Sequence, residues 1–562
     1  MRYIKIVLKK NILIVLTYIG LGIFNAFMSN YKADYFQQII DGLSAGKLTF
    51  TNIMIYGSIL ISIHCMSYFD NYPDQKLAQG IYLDFKLLAL KKISTIDYMA
   101  YQKIGTGKLV QRIENGASAG RNVIYNFWLR VIRDLLPTIV FSIYFIWKIN
   151  KAITYALLIG YIIIFIITNL LLKFLYQIKE RILNNEELLN HYLVRGFMEM
   201  LVFRVNNQFF NEIRKAQKAK DEIVSSKVKM RLIHEAFFTI FVLLVDMLNI
   251  IILIYAWSSK SLSVGSMVAL FTLIENAYTP IAIFNVIYVQ YKLDKASYTR
   301  FEQFLHAKDD TQLTDGMLIN ESIEDISIRN LSFQYEERQI LNDICLSIRK
   351  GEKIAFVGES GSGKSTLVKI VVGLLKYNKG QVCLNGVSLN EICLNELYNR
   401  VTYLSQDAPI FDGTIKENVV FDKAVSDEKI LEALMKVQLS YLLENVNNGL
   451  YTEIGEKGTC LSGGEKQRLA LSRLWFDESE LVILDEATSA LDNLTEENVM
   501  REVILHLKEK TVIAIAHRLN SVISFDRIVV FRDGKIVDQG TFEYLISNND
   551  YFLELYNSSV QQ

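Results

Sequence analysis

Long apolar stretches constrain this chain most, and they are concentrated before residue 290. A helix that crosses a bilayer needs about 20 mostly apolar residues. The third of six candidates is the weakest, because it contains Pro137 and its apolar run starts only at Leu135. Any single stretch could be a buried helix of a soluble protein, but six in one half of the chain favour a membrane domain. The candidate spans are at about residues 11–29, 52–69, 133–148, 152–172, 237–257 and 264–289.

The positive charges between these stretches predict how the chain lies in the membrane. Lys and Arg are frequent at the N-terminus and in segments 70–123 and 173–235, whereas the other loops are short and carry few of them. Such segments stay in the cytosol, so we expect a multi-pass protein of the cytoplasmic membrane with its N-terminus inside. The first apolar stretch lacks a clear small-residue cleavage site, so we expect no cleaved signal peptide. Short cross-helices are expected around residues 97–107 and 198–210.

The chain changes character after about residue 320. Short β-branched runs alternate with helical patterns there, which predicts an α/β domain with a largely parallel sheet. We therefore expect a membrane bundle of six α-helices in residues 1–310, fused to an α/β P-loop domain in residues 321–562. The formal net charge of +0 gives no support for a nucleic-acid partner. The 5 cysteines form no pair with metal-ligand spacing.

The stretch "GESGSGKST" predicts a phosphate-binding loop. It fits the pattern G-x-x-x-x-G-K-[ST], follows the apolar run "KIAFV" and opens a helical pattern. Glycines there let successive backbone N–H groups surround phosphate oxygens, while the lysine adds a positive charge and the serine hydroxyl can bind Mg²⁺. A chance match is the alternative, but the strand before and the helix after argue against it. The predicted nucleotide-binding residues are Gly358, Glu359, Ser360, Gly361, Ser362, Gly363, Lys364, Ser365 and Thr366, with Ser365 also a Mg²⁺ ligand.

Two adjacent acids follow the apolar run "LVIL". Asp485 ends the predicted strand, where its carboxylate suits Mg²⁺ directly or through water. Glu486 is placed to act on the attacking water as a general base or as a positioning group. His517 follows the run "VIAIA" and could contact the γ-phosphate or help to position Glu486. A solvated acidic turn and a structural histidine are the alternatives, and the phosphate-binding loop makes the first of them weak.

The glycine pair in "LSGGEKQRLALSRL" raises the question of what approaches its bare backbone. Together with the motifs above, "LSGGE" at residues 461–465 resembles the signature loop of ABC transporters, and the whole chain resembles a half-size ABC exporter. In that family the loop caps the γ-phosphate of ATP held by the partner subunit. The resemblance implies this role for Ser462, Gly463 and Gly464, aided by the following helix's dipole. Glu465 departs from the family, in which Gln is commoner, and we expect a modest effect on ATP affinity.

Other stretches support the resemblance. Gln406 in "YLSQDAPIF" resembles the Q-loop, which implies contact with Mg²⁺ and the attacking water. Tyr335 is similar to the aromatic residue that stacks on adenine, and His517 fits the switch histidine. Two further stretches resemble the cross-linking loop of exporters and the D-loop: "TEIGEKG" at residues 452–458 and "SALD" at residues 489–492.

The resemblance implies an ATP hydrolase that exports a peptide, a drug-like amphiphile or a lipid. One chain holds half of each composite site, so we expect a dimer, most simply of two identical chains. An ATP-gated channel or membrane regulator with the same ATPase is the alternative. Exporters that also cleave a leader peptide carry an N-terminal protease domain, for which the first span, near residue 11, leaves no room.

Two acids lie near the middle of predicted spans. Asp246 is in the fifth and Glu275 in the sixth. An ionised carboxylate at bilayer depth is costly, so both should face the bundle interior or a wet cavity. They could favour a cargo with positive charge, or they could be protonated or paired with Arg130 or Arg133. The neighbours that could hydrogen-bond to them are Asn249, Asn276 and Tyr278.

Overall fold

A computed structural model of the chain divides into two compact units. It describes residues 2–104, 106–259, 262–421, 423–444, 448–455, 458–516 and 518–560. Unit 1 comprises Met1–Ser94 and Ile104–Ala307, and unit 2 comprises Thr95–Lys103 and Lys308–Gln562. Unit 2 thus includes a short piece of chain that lies, in sequence, within the helical half.

Unit 1 is built from long helices. Two of them, α3 and α10, contain a proline in the interior, at Pro73 and Pro280, and the shorter α6 has Pro137 in its first turn. The third predicted span lies in a helical run that takes the wider π form over Asn122–Leu129 and Val131–Leu135 before α6. The helices in the first part of the chain are α1 Arg2–Lys10, α2 Ile12–Ser44, α3 Phe50–Ile93, α4 Tyr98–Ile104, α5 Thr106–Arg121, α6 Leu136–Ile149, α7 Lys151–Met198, α8 Met200–Val205, α9 Phe209–Ser259 and α10 Val264–Leu305.

The outer surface of these helices is strongly apolar. By length and composition, α2, α3, α9 and α10 can each cross a membrane, and α7 begins with a shorter apolar stretch, Lys151–Ile163. Large apolar side chains stand outward on them, such as Leu13 and Trp257, which are 78% and 82% exposed. Apolar surface on this scale is unstable in water, so unit 1 is suited to a lipid environment.

A buried charge cluster lies beside the π-helical turns. The guanidinium of Arg133 pairs with Asp70 and lies 3.8 Å from the centre of the Tyr18 ring. Glycine at position 22 makes room for this arginine, because a Cβ there would collide with the Arg133 side chain. Asp74 lies 3.9 Å from the same guanidinium. Asp134, the next residue in the chain, lies 3.5 Å from it. Arg133 is therefore already paired with neighbouring acids.

Short helices are present at both predicted cross-helix positions. α4 belongs mostly to unit 2, where Tyr98 and Met99 pack against a buried apolar cluster of that unit. α8 belongs to unit 1 and has no buried residue. Gly105, at the end of the first predicted position, lies outside the described residues.

Unit 2 contains two sheets rather than one. The predicted parallel sheet exists, with strand order β10-β9-β3-β8-β7-β6, and only its β9–β10 edge pair is antiparallel. The second sheet, β2-β1-β4-β5, is antiparallel throughout and was not predicted. The strands are β1 Asp325–Tyr335, β2 Arg338–Arg349, β3 Lys353–Gly358, β4 Lys379–Leu384, β5 Val387–Ser388, β6 Val401–Leu404, β7 Leu481–Asp485, β8 Thr511–Ile515, β9 Arg527–Arg532 and β10 Lys535–Gly540.

Helices cover the sheets of unit 2. Every residue of β7 and β8 is buried, as expected for central strands of a parallel sheet with both faces covered. The carboxyl ends of β3, β6 and β7 lie along one edge, where open α/β sheets bind ligands. The helices are α11 Lys364–Val371, α12 Leu394–Tyr398, α13 Ile415–Val420, α14 Asp427–Lys436, α15 Ser440–Glu444, α16 Gly463–Ser472, α17 Asn493–His506, α18 Phe542–Asn548 and α19 Asp550–Val560.

Candidate nucleotide-binding site

The predicted phosphate loop joins β3 to α11 and depends on glycine at several positions. Gly358 has φ +138°, and a Cβ there would collide with the carbonyl oxygen of Phe531. Gly363 has φ +103°, and a Cβ there would lie 2.6 Å from Leu341. Left-handed backbone is accessible to glycine at little cost. The loop therefore turns tightly just before α11, and a helix N-terminus of this kind favours bound anions.

Lys364 lies within this loop. It is 4% exposed, and its ammonium donates to the carbonyl oxygens of Gly358 and Glu359 at 2.7 and 2.8 Å. A third donor hydrogen reaches the hydroxyl of Ser362 at 3.3 Å. Burial lowers the pKa of the amine, although Glu486 and the other nearby carboxylates oppose this shift. The ammonium is thus held by its own loop, where the motif predicts that phosphate oxygens bind.

The hydroxyl of Ser365 and the carboxylate of Asp485 meet as predicted for a cation site. Ser365 donates to Oδ1 of Asp485 at 3.1 Å, and Asp485 is buried at the end of β7. Hard oxygen donors of this kind fit Mg²⁺. Among the described residues, no group of three or more His, Cys, Asp or Glu side chains is placed to hold a metal ion. A Mg²⁺ ion held by Ser365 and Asp485 would need further oxygen ligands, for which the predicted Gln406, phosphate oxygens and water are candidates.

Tyr403 is a member of this site that the sequence did not reveal. Its hydroxyl donates to the other oxygen of Asp485, Oδ2, at 2.5 Å. Burial and the bond to Asp485 raise the pKa of the phenol, so it remains a proton donor at physiological pH.

Gln406 and Glu486 are in direct contact. The amide of Gln406 donates to Oε2 of Glu486 at 2.6 Å. Glu486 has φ +55°, a conformation that is uncommon for a residue with a side chain and is often found at functional sites. Its backbone N–H donates to the carbonyl oxygen of Ile515 on β8 at 3.2 Å. His517 lies outside the described residues, so its predicted role stays a prediction.

Tyr335 ends β1 close to the phosphate loop. Its ring meets Phe333 edge to face, with ring centres 4.9 Å apart. Burial and the nearby phenol of Tyr98 raise the pKa of Tyr335, whereas a hydrogen bond with Thr366 lowers it. The contact with Thr366 puts Tyr335 at the start of α11, and its predicted stacking on adenine stays a prediction.

The signature-like residues form the N-terminus of a helix. Ser462 caps α16, and its hydroxyl accepts from the backbone N–H of Glu465 at 3.3 Å. The carboxylate of Glu465 accepts from the N–H of Ser462 at 2.7 Å and from the hydroxyl of Tyr441 at 2.8 Å. The unusual acid thus completes a reciprocal cap of the helix. Ser462 and Gly463 are exposed, so this end of α16 is open to another molecule.

Gln467 is a second member that sequence reasoning missed. It is 4% exposed, and its amide donates to Ser489 at 3.0 Å while its oxygen accepts from the N–H of Ala490 at 2.8 Å. A weaker bond of 3.4 Å reaches the carbonyl oxygen of Gln406. One buried side chain on α16 therefore joins the segments that resemble the signature loop, the D-loop and the Q-loop. The sequence shows Gln467 only as a polar residue within a helical pattern, and its burial is known only from the structure.

The predicted residues form two groups. The phosphate loop, Tyr335, Gln406, Asp485 and Glu486 cluster at the carboxyl edge of the parallel sheet. No hydrogen bond between described residues joins the phosphate loop to Ser462, Gly463 or Gly464. Glu456 and Lys457, in the predicted cross-linking loop, lie outside the described residues. In one chain, therefore, the phosphate loop and the signature-like helix end do not form a hydrogen-bonded site.

Comparisons with known proteins agree with this geometry. A family model described as "ABC transporter" matches residues 341–489. An uncharacterized ABC transporter ATP-binding protein of Bacillus subtilis, YwjA, is 28% identical over 95% of this chain and 93% of its own length. The mitochondrial iron-sulfur clusters transporter ATM1 of Debaryomyces hansenii is 34% identical, but over 53% of this chain and 44% of its own length.

A solved structure extends the likeness to the whole fold. It is described as a bacterial Atm1-family ABC exporter with ATP bound, and it superimposes with a TM-score of 0.83 over 99% of both chains at 20% identity. The six-helix bundle fused to a nucleotide-binding domain is thereby confirmed as the architecture of the chain. The chain accordingly carries an ABC transporter nucleotide-binding domain behind a helical membrane domain, which is the organisation of a half-size ABC exporter.

Proposed function

We propose that the protein hydrolyses ATP to drive export of a cargo, and that it works as a dimer of identical chains. The observation that carries the proposal is that the exposed end of α16 makes no hydrogen bond, among the described residues, to the phosphate loop of the same chain, although Gln467 links α16 to the segment of Gln406. The phosphate loop with Asp485 and Glu486 forms one group, and the exposed end of α16 forms the other. Two copies, arranged head to tail, would supply each nucleotide with both groups.

The chain's own side chains suggest how the site would act. When phosphate oxygens enter the loop, the ammonium of Lys364 exchanges its bonds with Gly358 and Glu359 for bonds to them. Glu486, held by Gln406, then accepts a hydrogen bond from the attacking water. Mg²⁺, bound through Ser365 and Asp485, would neutralise charge that develops on the transferred phosphoryl group. Ser462 and the backbone of Gly463 and Gly464 of the second copy would cover the γ-phosphate.

We further propose that residues 1–310 are the transmembrane part and residues 321–562 the nucleotide-binding part, with the N-terminus and the second part in the cytosol of the cell. α4 and α8 would carry the closure of the nucleotide domains to the bundle. The packing of Tyr98 and Met99 on unit 2 supports this role for α4.

Complementation between two inactive variants tests the composite site. In a mixed dimer of Lys364→Ala and Ser462→Ala chains, one site receives both defects and the other receives none. We expect each variant alone to be nearly inactive and the co-expressed, tandem-purified pair to recover up to half of the wild-type ATPase per dimer. No recovery in a confirmed mixed dimer would refute the shared site. Activity of the lone chain only after addition of a different subunit would refute the identical-chain dimer.

Transport itself is tested in inverted vesicles. ATP-dependent accumulation of a cargo against its gradient, lost in Glu486→Gln, would support an exporter. ATP-dependent flux that only runs down a gradient would instead support a channel.

We also propose that Asp246 and Glu275 favour a cargo with positive charge. Both acids are exposed in the single chain, and neither side chain is hydrogen-bonded or ion-paired with a described residue. Of the partners considered, Arg133 is committed to Asp70, and the hydroxyl of Tyr278 donates to Leu157. Unpaired carboxylates on membrane helices are expected to face a wet pathway rather than lipid.

Neutral variants test the charge preference. In reconstituted vesicles, Asp246→Asn with Glu275→Gln should lose stimulation of ATPase by cationic amphiphiles and retain basal ATPase and melting temperature. Thr279→Val, on the same face of α10 one turn after Glu275, is the matched control because it changes polarity without removing a charge. Unchanged stimulation, or a loss of stability alone, would assign the acids a structural role.

A further inference from the structure

Tyr403 reaches Asp485 because of the register between two parallel strands. Tyr403 on β6 pairs with Ile483 on β7. Side chains two residues apart along a strand share a face, so Asp485 lies on the same face as Ile483, one step nearer the carboxyl edge. A tyrosine is long enough to cover that step, and its hydroxyl ends 2.5 Å from Oδ2.

The carboxylate of Asp485 is thereby held at both of its oxygens. Oδ1 faces the hydroxyl of Ser365 at 3.1 Å and Oδ2 faces Tyr403. A buried carboxylate with one free oxygen could rotate about its last bond. With Oδ2 fixed to the sheet, Oδ1 stays directed at the hydroxyl of Ser365, near the end of the phosphate loop.

We propose that Tyr403 is a positioning residue for Asp485, which sets the affinity of the nucleotide site for the divalent cation. Partners that orient a metal-binding carboxylate in this way are typically worth 10- to 100-fold in metal affinity. The inference rests on the proposed nucleotide chemistry, but it concerns cation binding and can be measured without turnover.

Tyr403→Phe removes one hydroxyl and keeps the ring. Tyr398→Phe is the matched control, since Tyr398 also packs against the apolar cluster that contains β3 and β7 but donates no hydrogen bond to Asp485. Full-length protein in nanodiscs would first be titrated with a fluorescent ATP analogue in EDTA, which gives the nucleotide affinity without a divalent cation. A second titration at increasing Mn²⁺ would follow Mn²⁺ binding by electron paramagnetic resonance.

For Tyr403→Phe we expect a Mn²⁺ midpoint about 10- to 100-fold higher than wild type, with nucleotide affinity in EDTA unchanged. Tyr398→Phe should match the wild-type midpoint. An unchanged midpoint in Tyr403→Phe, an equal shift in Tyr398→Phe, or an equal loss of nucleotide affinity in EDTA would each overturn the inference. Both readouts measure binding and neither depends on hydrolysis. If wild-type protein binds Mn²⁺ and nucleotide but does not hydrolyse ATP, the proposed function fails while the inference about Tyr403 still stands.

Discussion

Replacement of Glu465 separates two roles of an unusual acid at the start of α16. The carboxylate accepts from the N–H of Ser462 and from the hydroxyl of Tyr441. Glu465→Ala removes both acceptors, whereas Glu465→Gln keeps an oxygen for Ser462 and an amide that can still bond to Tyr441. The two variants therefore share the loss of charge and differ in the loss of the cap.

The expected magnitudes follow from these bonds. Loss of a helix cap costs about 1 kcal/mol, and loss of one hydrogen bond from a tyrosine costs ~0.5–1 kcal/mol. For Glu465→Ala the sum, about 1.5–2 kcal/mol, corresponds to a fall in Tm of about 3–8 °C for a domain of this size. Glu465→Gln loses only the interaction of the charge with the helix dipole, ~0.3–1 kcal/mol, so its Tm should fall by less than about 4 °C.

Two measurements check the prediction. Mass spectrometry measures hydrogen exchange of the α16 amides, and thermal unfolding of the same samples gives Tm. Hydrogen bonds from Ser462 and Tyr441 outweigh burial and lower the pKa of Glu465. The charge therefore stabilises the fold above the unfolded-state pKa of about 4.3 and ceases to do so as pH falls through the folded-state pKa. The difference in Tm between wild type and Glu465→Gln should accordingly disappear in acid. Equal exchange and equal Tm in Glu465→Ala and Glu465→Gln would refute the capping role.

Three further predictions test the site. Glu486→Gln should bind ATP but hydrolyse it at least about 100-fold more slowly than wild type, and near-normal turnover in the purified protein would remove Glu486 from that role. Gly358→Ala should abolish nucleotide binding, because the added Cβ would collide with the backbone of Phe531. Gly361→Ala is also at positive φ but has open space around it, so it should cost only about 1–3 kcal/mol of stability. Similar behaviour of the two variants would contradict the steric reasoning. Gln467→Ala should lower stability by about 1–3 kcal/mol and slow ATPase without changing nucleotide affinity in EDTA, and a selective loss of affinity instead would place Gln467 at the nucleotide.

The chemistry of the phosphate site could be predicted from the sequence because its residues are contiguous or end an apolar strand. Gly358–Thr366 and Asp485 with Glu486 are of this kind, and the structure brings them to one edge of the parallel sheet. The six predicted spans likewise lie in helices, since a bilayer demands long apolar runs that a sequence displays directly.

Features that depend on pairing between distant segments could not be predicted. Tyr403 is a polar-tipped residue inside an apolar strand, and only the register of β6 against β7 reveals what its hydroxyl meets. The antiparallel sheet escaped prediction because its strands resemble those of the parallel sheet in composition and differ in connection. The commitment of Arg133 to Asp70 depends on the close approach that Gly22 allows, which has no local signal.

The membership of Thr95–Lys103 in unit 2 has a consequence for chimeras and for covariation. A nucleotide domain transplanted from a relative by a cut near residue 308 would arrive without the nine residues of this segment, and the host's Tyr98 and Met99 would meet a foreign surface. A functional exchange should therefore carry residues 95–103 together with the domain. For the same reason, substitutions in this short segment should be correlated across relatives with substitutions in unit 2 rather than with those in the α3 and α5 helices that flank it.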